Sequence, residues 1–245
     1  MNPNQLIRAS FFLPFLISFC CIGLLFTNAS AQKLYNIKNA GDAINSTFDE
    51  LTPIIAPDGK TLYFTRRDHP ENAYFKRNKN NTDIWYSTID STGVWSPAAH
   101  MVTPFNKRLY NSVESVSPDG NILYIRGAYN KGKYIGNGIS CSYRTENGWI
   151  DPKQMEIRRF AKLNKGSSTN YFVSSDGKKL FLSFSRAENS KLNDLYFCYL
   201  RKDSVWSRPR RMNSPINSRE FSEEAPFLAS DGQTLYFSSN RTGGY

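Results

Sequence analysis

The stretch EFSEEAPFLASDGQTLYFSSNRTGGY, Glu220 to Tyr245, decides the fold. An apolar run, Ala225 to Ala229, meets the dipeptide Asp231-Gly232, and a second run, Leu235-Tyr236-Phe237, follows. Asp-Gly between two such runs signals a β-hairpin, because glycine takes the positive φ that a tight turn requires. The phrase recurs as PIIAPDGKTLYF (Pro53 to Phe64), SVSPDGNILYI (Ser115 to Ile125) and FVSSDGKKLFL (Phe172 to Leu182).

The recurrences keep step. The turns begin at Asp58, Asp119, Asp176 and Asp231, at spacings of 61, 57 and 55 residues. Trp95, Trp149 and Trp206 follow the same step, at 54 and 57. Between turn and tryptophan lies a third marker: Asp83-Ile84-Trp85, Gly138-Ile139-Ser140 and Asp194-Leu195-Tyr196. Three markers in one order, with four short strands per unit, predict an all-β fold of propeller blades. The fourth strand of each unit begins at the tryptophan, and Pro97, Pro152 or Pro209 soon follows. Proline lacks an N–H and suits an outermost strand. Leu62, Phe64, Leu123, Leu180, Leu235 and Phe237 are the expected buried residues of the second strands, on alternate positions. Trp95, Trp149 and Trp206 should hold equivalent places.

Units near 48–105, 106–160 and 161–215 are complete, and 216–245 supplies half of another. Residues 32–245 therefore read as a partial propeller of about three and a half blades. A closed ring needs roughly four to eight blades, so a fragment of a longer protein is expected. Ile44-Asn45-Ser46 resembles Ile216-Asn217-Ser218, which follows a fourth strand. By that analogy Leu34 to Ile37 would be an outer strand closing the ring.

Residues 1–31 read as a signal peptide: Arg8, an apolar run from Phe11 to Phe26, then Ala29-Ser30-Ala31 before Gln32. The run is short for a hydrocarbon core of about 30 Å. The chain carries a formal charge of +10. Its arginines occur in short clusters, Arg66-Arg67, Arg158-Arg159 and Arg208 to Arg211, with no run of five or six like charges. That pattern reads as a solvated surface rather than a nucleic-acid patch. Cys141 and Cys198 occupy equivalent strands of different units and are expected as buried free thiols.

The phrases Ser117-Pro118-Asp119-Gly120, Asp83-Ile84-Trp85, Trp206-Ser207-Arg208-Pro209 and Ile216-Asn217-Ser218 resemble the WD-repeat-like propellers related to TolB. More closely, they resemble the N-terminal propeller of OmpA-family envelope proteins of Bacteroidetes-type bacteria. The resemblance implies an exported, non-catalytic binding or scaffold module, in the periplasm or associated with the outer membrane. In such proteins an OmpA-like domain that binds peptidoglycan often follows. The partner implied is an envelope protein or cell-wall polymer, with no nucleic acid and only indirect contact with a membrane.

No catalytic, cofactor-binding or metal residue is expected. His69 and His100 lie in separate loop regions, read as solvent-exposed, without metal-ligand spacing. Asp58, Asp119, Asp176 and Asp231 read as turn residues that bond their own backbone, not as glycosidase carboxylates. The alternative function is a propeller enzyme acting on glycans, with its catalytic residues in a missing C-terminal part.

Overall fold

A computed structural model describes residues 38–242, apart from Ser167 and Asn189. The expected leader, the expected strand at Leu34 to Ile37 and Gly243-Gly244-Tyr245 lie outside the described residues. The described residues from Asn39 onward form one compact unit.

The chain is nearly all β. Blade 1 holds β1 (Glu50–Ile55), β2 (Thr61–Arg67), β3 (Thr82–Thr88) and β4 (Ala99–His100) in that order. Blade 2 holds β5 (Val113–Val116), β6 (Ile122–Asn130), β7 (Lys133–Thr145), β8 (Gly148–Trp149) and β9 (Lys153–Gln154), the last two both pairing with β7. A single turn of helix, α1 (Phe160–Leu163), leads into blade 3. Blade 3 holds β10 (Thr169–Val173), β11 (Lys179–Phe184), β12 (Asp194–Tyr199) and β13 (Arg210–Arg211). The hairpin of β14 (Glu223–Leu228) and β15 (Leu235–Ser239) opens a fourth blade. All pairings within the blades are antiparallel. Sheets of this layout, repeated along the chain, are those of an incomplete propeller.

The inner strands are neighbours: β1 lies by β5, β5 by β10, and β10 by β14. Ser115 Oγ donates to the Val173 carbonyl at 3.1 Å, stitching β5 to β10. Each of the four Asp-Gly turns is built as the sequence predicts. Gly59, Gly120, Gly177 and Gly232 have φ of 67°, 72°, 68° and 68°. The aspartates accept backbone N–H groups two residues on, for example Lys60 to Asp58 at 2.8 Å and Lys178 to Asp176 at 2.9 Å.

The cores lie between blades. Tyr63, Ile84, Phe105, Val113 and Leu123 fill the space between blades 1 and 2. Tyr124, Ile139, Leu180, Phe184, Tyr196 and Trp206 fill that between blades 2 and 3. Blades pack face to face, so second strands are buried on both faces. In β11 every residue from Leu180 to Phe184 is buried, which corrects the expected alternation. Phe64, Leu123 and Leu180 are buried as expected, but Leu62, Leu235 and Phe237 are only half-buried. For β15 the reason is that the β14–β15 hairpin packs on blade 3 from one side. Trp95, Trp149 and Trp206 do hold equivalent places: the N–H of the next residue donates to the carbonyl of Thr88, Tyr143 and Tyr199 respectively. Cys141 and Cys198 are free and buried, and burial pushes both thiols up to about 12.

Blade 2 departs from the pattern where Gly138 replaces aspartate. β6 and β7 run on past the blade as a two-stranded ribbon, with register shifts near Ala128. A side chain at Gly138 would press on Ala128 Cβ at 3.0 Å, and one at Gly132 would collide with the Asp151 carboxylate at 2.6 Å. The ribbon therefore needs glycine at both places.

Candidate functional site

The connections between second and third strands, and from each outer strand to the next inner one, share one face of the blades. Three carboxylate–arginine clasps stand there. Glu50 pairs with Arg66 at 3.0 Å, Glu114 with Arg126 at 2.9 Å and Glu223 with Arg241 at 2.9 Å. Serine completes each one: Ser46, Ser112 and Ser218 hydroxyls donate to the same three carboxylates at 2.6, 2.6 and 3.0 Å. Arg66 Nη2 also donates to the Ile44 carbonyl at 2.8 Å, and Arg241 Nη2 to that of Ile216. The recurring Ile-Asn-Ser phrase is thus the anchor of a clasp. A carboxylate clasped by a guanidinium and a serine hydroxyl has its oxygens engaged in packing the blade.

Blade 1 carries a different group. Asp83, at the start of β3, is fully buried, and His100 on β4 reaches it with Nε2 at 2.9 Å from Oδ2. The register Trp85↔His100 sets the two side chains side by side. The Ala73 N–H donates to the same Oδ2 at 2.7 Å, and Asn111 Nδ2 to Oδ1 at 3.0 Å. Asn106 Nδ2 lies 3.1 Å from the imidazole, but its two N–H groups are taken by the carbonyls of Ile84 (3.2 Å) and Met101 (2.5 Å). With Nε2 facing Asp83 Oδ2, a neutral imidazole carries its proton there and keeps Nδ1 as the lone-pair nitrogen. The His100 side chain is 17% exposed.

Trp85 backs the pair, its Nε1–H donating to Asn72 Oδ1 at 3.2 Å. The rings of His100 and His69 lie 4.9 and 4.5 Å from Trp85, and the Arg66 guanidinium caps it at 4.6 Å. Burial, and then the Arg66 charge, hold His69 below the usual imidazole range, so it is neutral at pH 7. The expectation of two separate, solvent-exposed histidines is therefore corrected. Both are half-buried and share one tryptophan, because the loop from Asp68 to Asn81 folds back over β3. Asn72 and Asn81 hold that loop: Asn72 Nδ2 donates to the Arg66 carbonyl and to Asn81 Oδ1, both at 2.9 Å.

Blade 3 shows what the pair would be without the imidazole. Asp194 and Arg211 occupy the same two register positions, joined by bonds of 2.7 and 2.5 Å. A guanidinium there can only clasp, whereas an imidazole clasps through one nitrogen and keeps the other free for a proton. The Asp-Ile-Trp marker pointed to Asp83, but nothing in the sequence paired it with His100. The recurrence of arginine and histidine at one offset after the tryptophan, Trp95 to His100 and Trp206 to Arg211, was the available signal.

No protein-family model and no curated protein matches this chain. Solved structures of similar layout are propeller enzymes. The periplasmic gluconolactonase of Pseudomonas aeruginosa is 14% identical with a TM-score of 0.42, over 76% of this chain and 64% of that one. A protein assigned as a 6-phosphogluconolactonase from Bacteroides fragilis is 14% identical, TM-score 0.37, over 78% and 47%. A puromycin hydrolase is 12% identical, TM-score 0.40, over 83% and 37%. The chain thus spans less than two thirds of the length of each. The expectation of a non-catalytic scaffold, and with it the statement that the chain is no enzyme, runs against these matches. The similar propellers belong to lactonases and a hydrolase.

Proposed function

We propose that this chain is the propeller part of an exported hydrolase acting on esters or lactones of carbohydrates. The observation that carries the reading is the His100–Asp83 pair. It is the one place among the described residues where a buried carboxylate orients an imidazole with a lone-pair nitrogen to spare. In the proposed step His100 Nδ1 takes a proton from water as its oxygen adds to the substrate carbonyl. The imidazolium so formed is stabilised by Asp83, and the proton then goes to the departing alkoxide. Cleaving an acetal would instead call for two carboxylates free to share acid and base work. The clasped Glu50, Glu114 and Glu223 do not offer that, which favours an acyl bond. The polar, exposed side chains of Lys76, Asn78 and Lys79 in the loop above β3 supply hydroxyl partners. The export leader read in residues 1–31 supports the periplasm as the compartment. Kinship with TolB-type propellers belongs to the same proposal and rests on the repeated phrases.

The test is turnover by the whole chain of glucono-1,5-lactone, acetylated xylan and nitrophenyl glycosides. Hydrolysis of an ester or lactone is expected, lowered about 100-fold or more in kcat/KM by His100→Gln. Rates equal to the uncatalysed reaction, or unchanged in the variant, would overturn the reading.

A further inference from the structure

Two arginine clusters that are far apart in the sequence converge on the outer rim of blade 3. Arg158 and Arg159 end the connection from blade 2. Arg210 lies on the outer strand β13, Arg208 two residues before it, and Arg201 in the preceding turn. Together with Ser207 and Pro209 these five arginines line an open cavity of about 570 Å³. The two clusters, separate in the sequence, meet in the fold and remain exposed.

The cluster is built into a backbone ladder. Ile157 and Trp206 form a parallel bridge. The Trp206 N–H donates to the Glu156 carbonyl at 2.9 Å, and the Arg158 N–H to the Trp206 carbonyl at 3.1 Å. The Arg201 N–H donates to Val205 at 3.1 Å, and Ser207 to Tyr199 at 2.9 Å. These bonds fix the three segments side by side before any ligand arrives. Arg159 is held at φ 60°, the left-handed region that non-glycine residues enter only where their surroundings impose it.

Charge balance makes the cluster unusual on this protein. Successive strand residues point to opposite faces. Arg211 spends its guanidinium on Asp194, while Arg210, its neighbour on β13, lines the cavity together with Arg208. Of the five arginines, only Arg201 has a carboxylate partner among the described residues, Asp203 at 3.5 Å. The other four are exposed and gathered within one cavity. Like charges this close repel unless screened or met by an anion. Guanidinium forks bind phosphate oxygens two at a time, and several forks on a rigid frame suit an anion with more than one charge.

We propose that this cavity binds phosphate groups, as a di- or polyphosphate or as the phosphates of a lipid headgroup. The site is remote from His100 and independent of the hydrolase reading. It would hold the protein on a phosphorylated surface or hold a phosphorylated ligand beside the blade.

The experiment uses the whole chain and two probes: inorganic pyrophosphate by calorimetry, and cosedimentation with phosphatidylcholine vesicles with or without phosphatidylglycerol. Arg208→Ala with Arg210→Ala is compared with Lys60→Ala and Lys178→Ala, exposed residues elsewhere that remove the same charge. Saturable pyrophosphate binding, weakened ten-fold or more by the arginine pair and less than two-fold by the lysine pair, is the expected result. Vesicle binding with the same variant pattern identifies a membrane source, and its absence identifies a soluble one. The paired variant Arg208→Lys with Arg210→Lys keeps the charge and loses the forks, so it should also bind several-fold more weakly. The proposal is overturned if pyrophosphate does not bind. It is equally overturned if the lysine controls fall as far as the arginine variants, or if the Arg→Lys protein matches the wild type.

Discussion

Asn106 and Asn217 do one job in two blades. Each accepts the N–H of the residue that follows the aspartate of a third strand, Ile84 at 2.8 Å and Leu195 at 2.7 Å. Each also donates to the carbonyl of that same residue and to one further carbonyl, Met101 or Met212. Replacing either by alanine strands buried backbone groups, at about 1–3 kcal/mol for each group left without a partner. Urea unfolding should show losses of about 2–4 kcal/mol for Asn106→Ala and Asn217→Ala, and less than about 1 kcal/mol for half-exposed Asn164→Ala. Equal small losses at all three would refute the bridging role. The sequence showed part of this. Ile44-Asn45-Ser46 and Ile216-Asn217-Ser218 match as strings, whereas Phe105-Asn106-Lys107 keeps only the asparagine. The partners of Asn106 lie 5 and 22 residues away, a relation that only the folded blade displays. Asp83 and His100 were hidden for the same reason. Each type is common in loops, and their meaning comes from the register of β3 with β4.

At the scale of elements, the hairpins were the legible part. An Asp-Gly turn is a local event, so its four copies could be placed from composition and spacing alone. Its energetics are local too. Hydrogen bonds from the Ser174 hydroxyl and then the Lys178 N–H hold the Asp176 carboxyl below its ordinary value of 3.8. A carboxyl lowered on folding contributes stability that is present above its unfolded pKa and lost as pH falls through the folded one. The urea midpoint of the wild type should therefore fall below pH 4, and Asp176→Asn should shrink that dependence. An identical pH profile in the variant would disprove the assignment. Strand burial was less legible, because it depends on which blade lies opposite. Phe184 is fully buried and stacks on Tyr196 at 4.0 Å between ring centres. Tyr236, on a matching second strand, is 60% exposed. Chemical unfolding should give about 3–5 kcal/mol for Phe184→Ala and within about 0.5 kcal/mol for Tyr236→Ala. The β6–β7 ribbon was not foreseen, since Gly138 stood only as the blade 2 counterpart of Asp83 and Asp194 in the third marker.

For the molecule as a whole, repetition supplies the frame and exceptions supply the chemistry. Blades 1 and 3 share an acidic residue opening the third strand and a basic one on the fourth. Blade 3 fills the pair with arginine, and blade 1 with histidine. The outer rim of blade 3 gathers arginines that the other blades lack. The frame could be read from spacing, but these exceptions gain meaning only once the frame sets them against each other. The central claim is that Asp83 and His100 act as one catalytic unit and not merely as another clasp. A double-mutant cycle on kcat/KM for the preferred ester or lactone tests it most directly, using Asp83→Asn, His100→Gln and both together, with melting curves for each. Residues that act as a unit are non-additive. The account predicts that the double variant is no slower than His100→Gln, and that Asp194→Asn, in the arginine clasp, lowers stability and leaves kcat/KM unchanged. Additive losses, or rates that follow stability alone across all four variants, would contradict it.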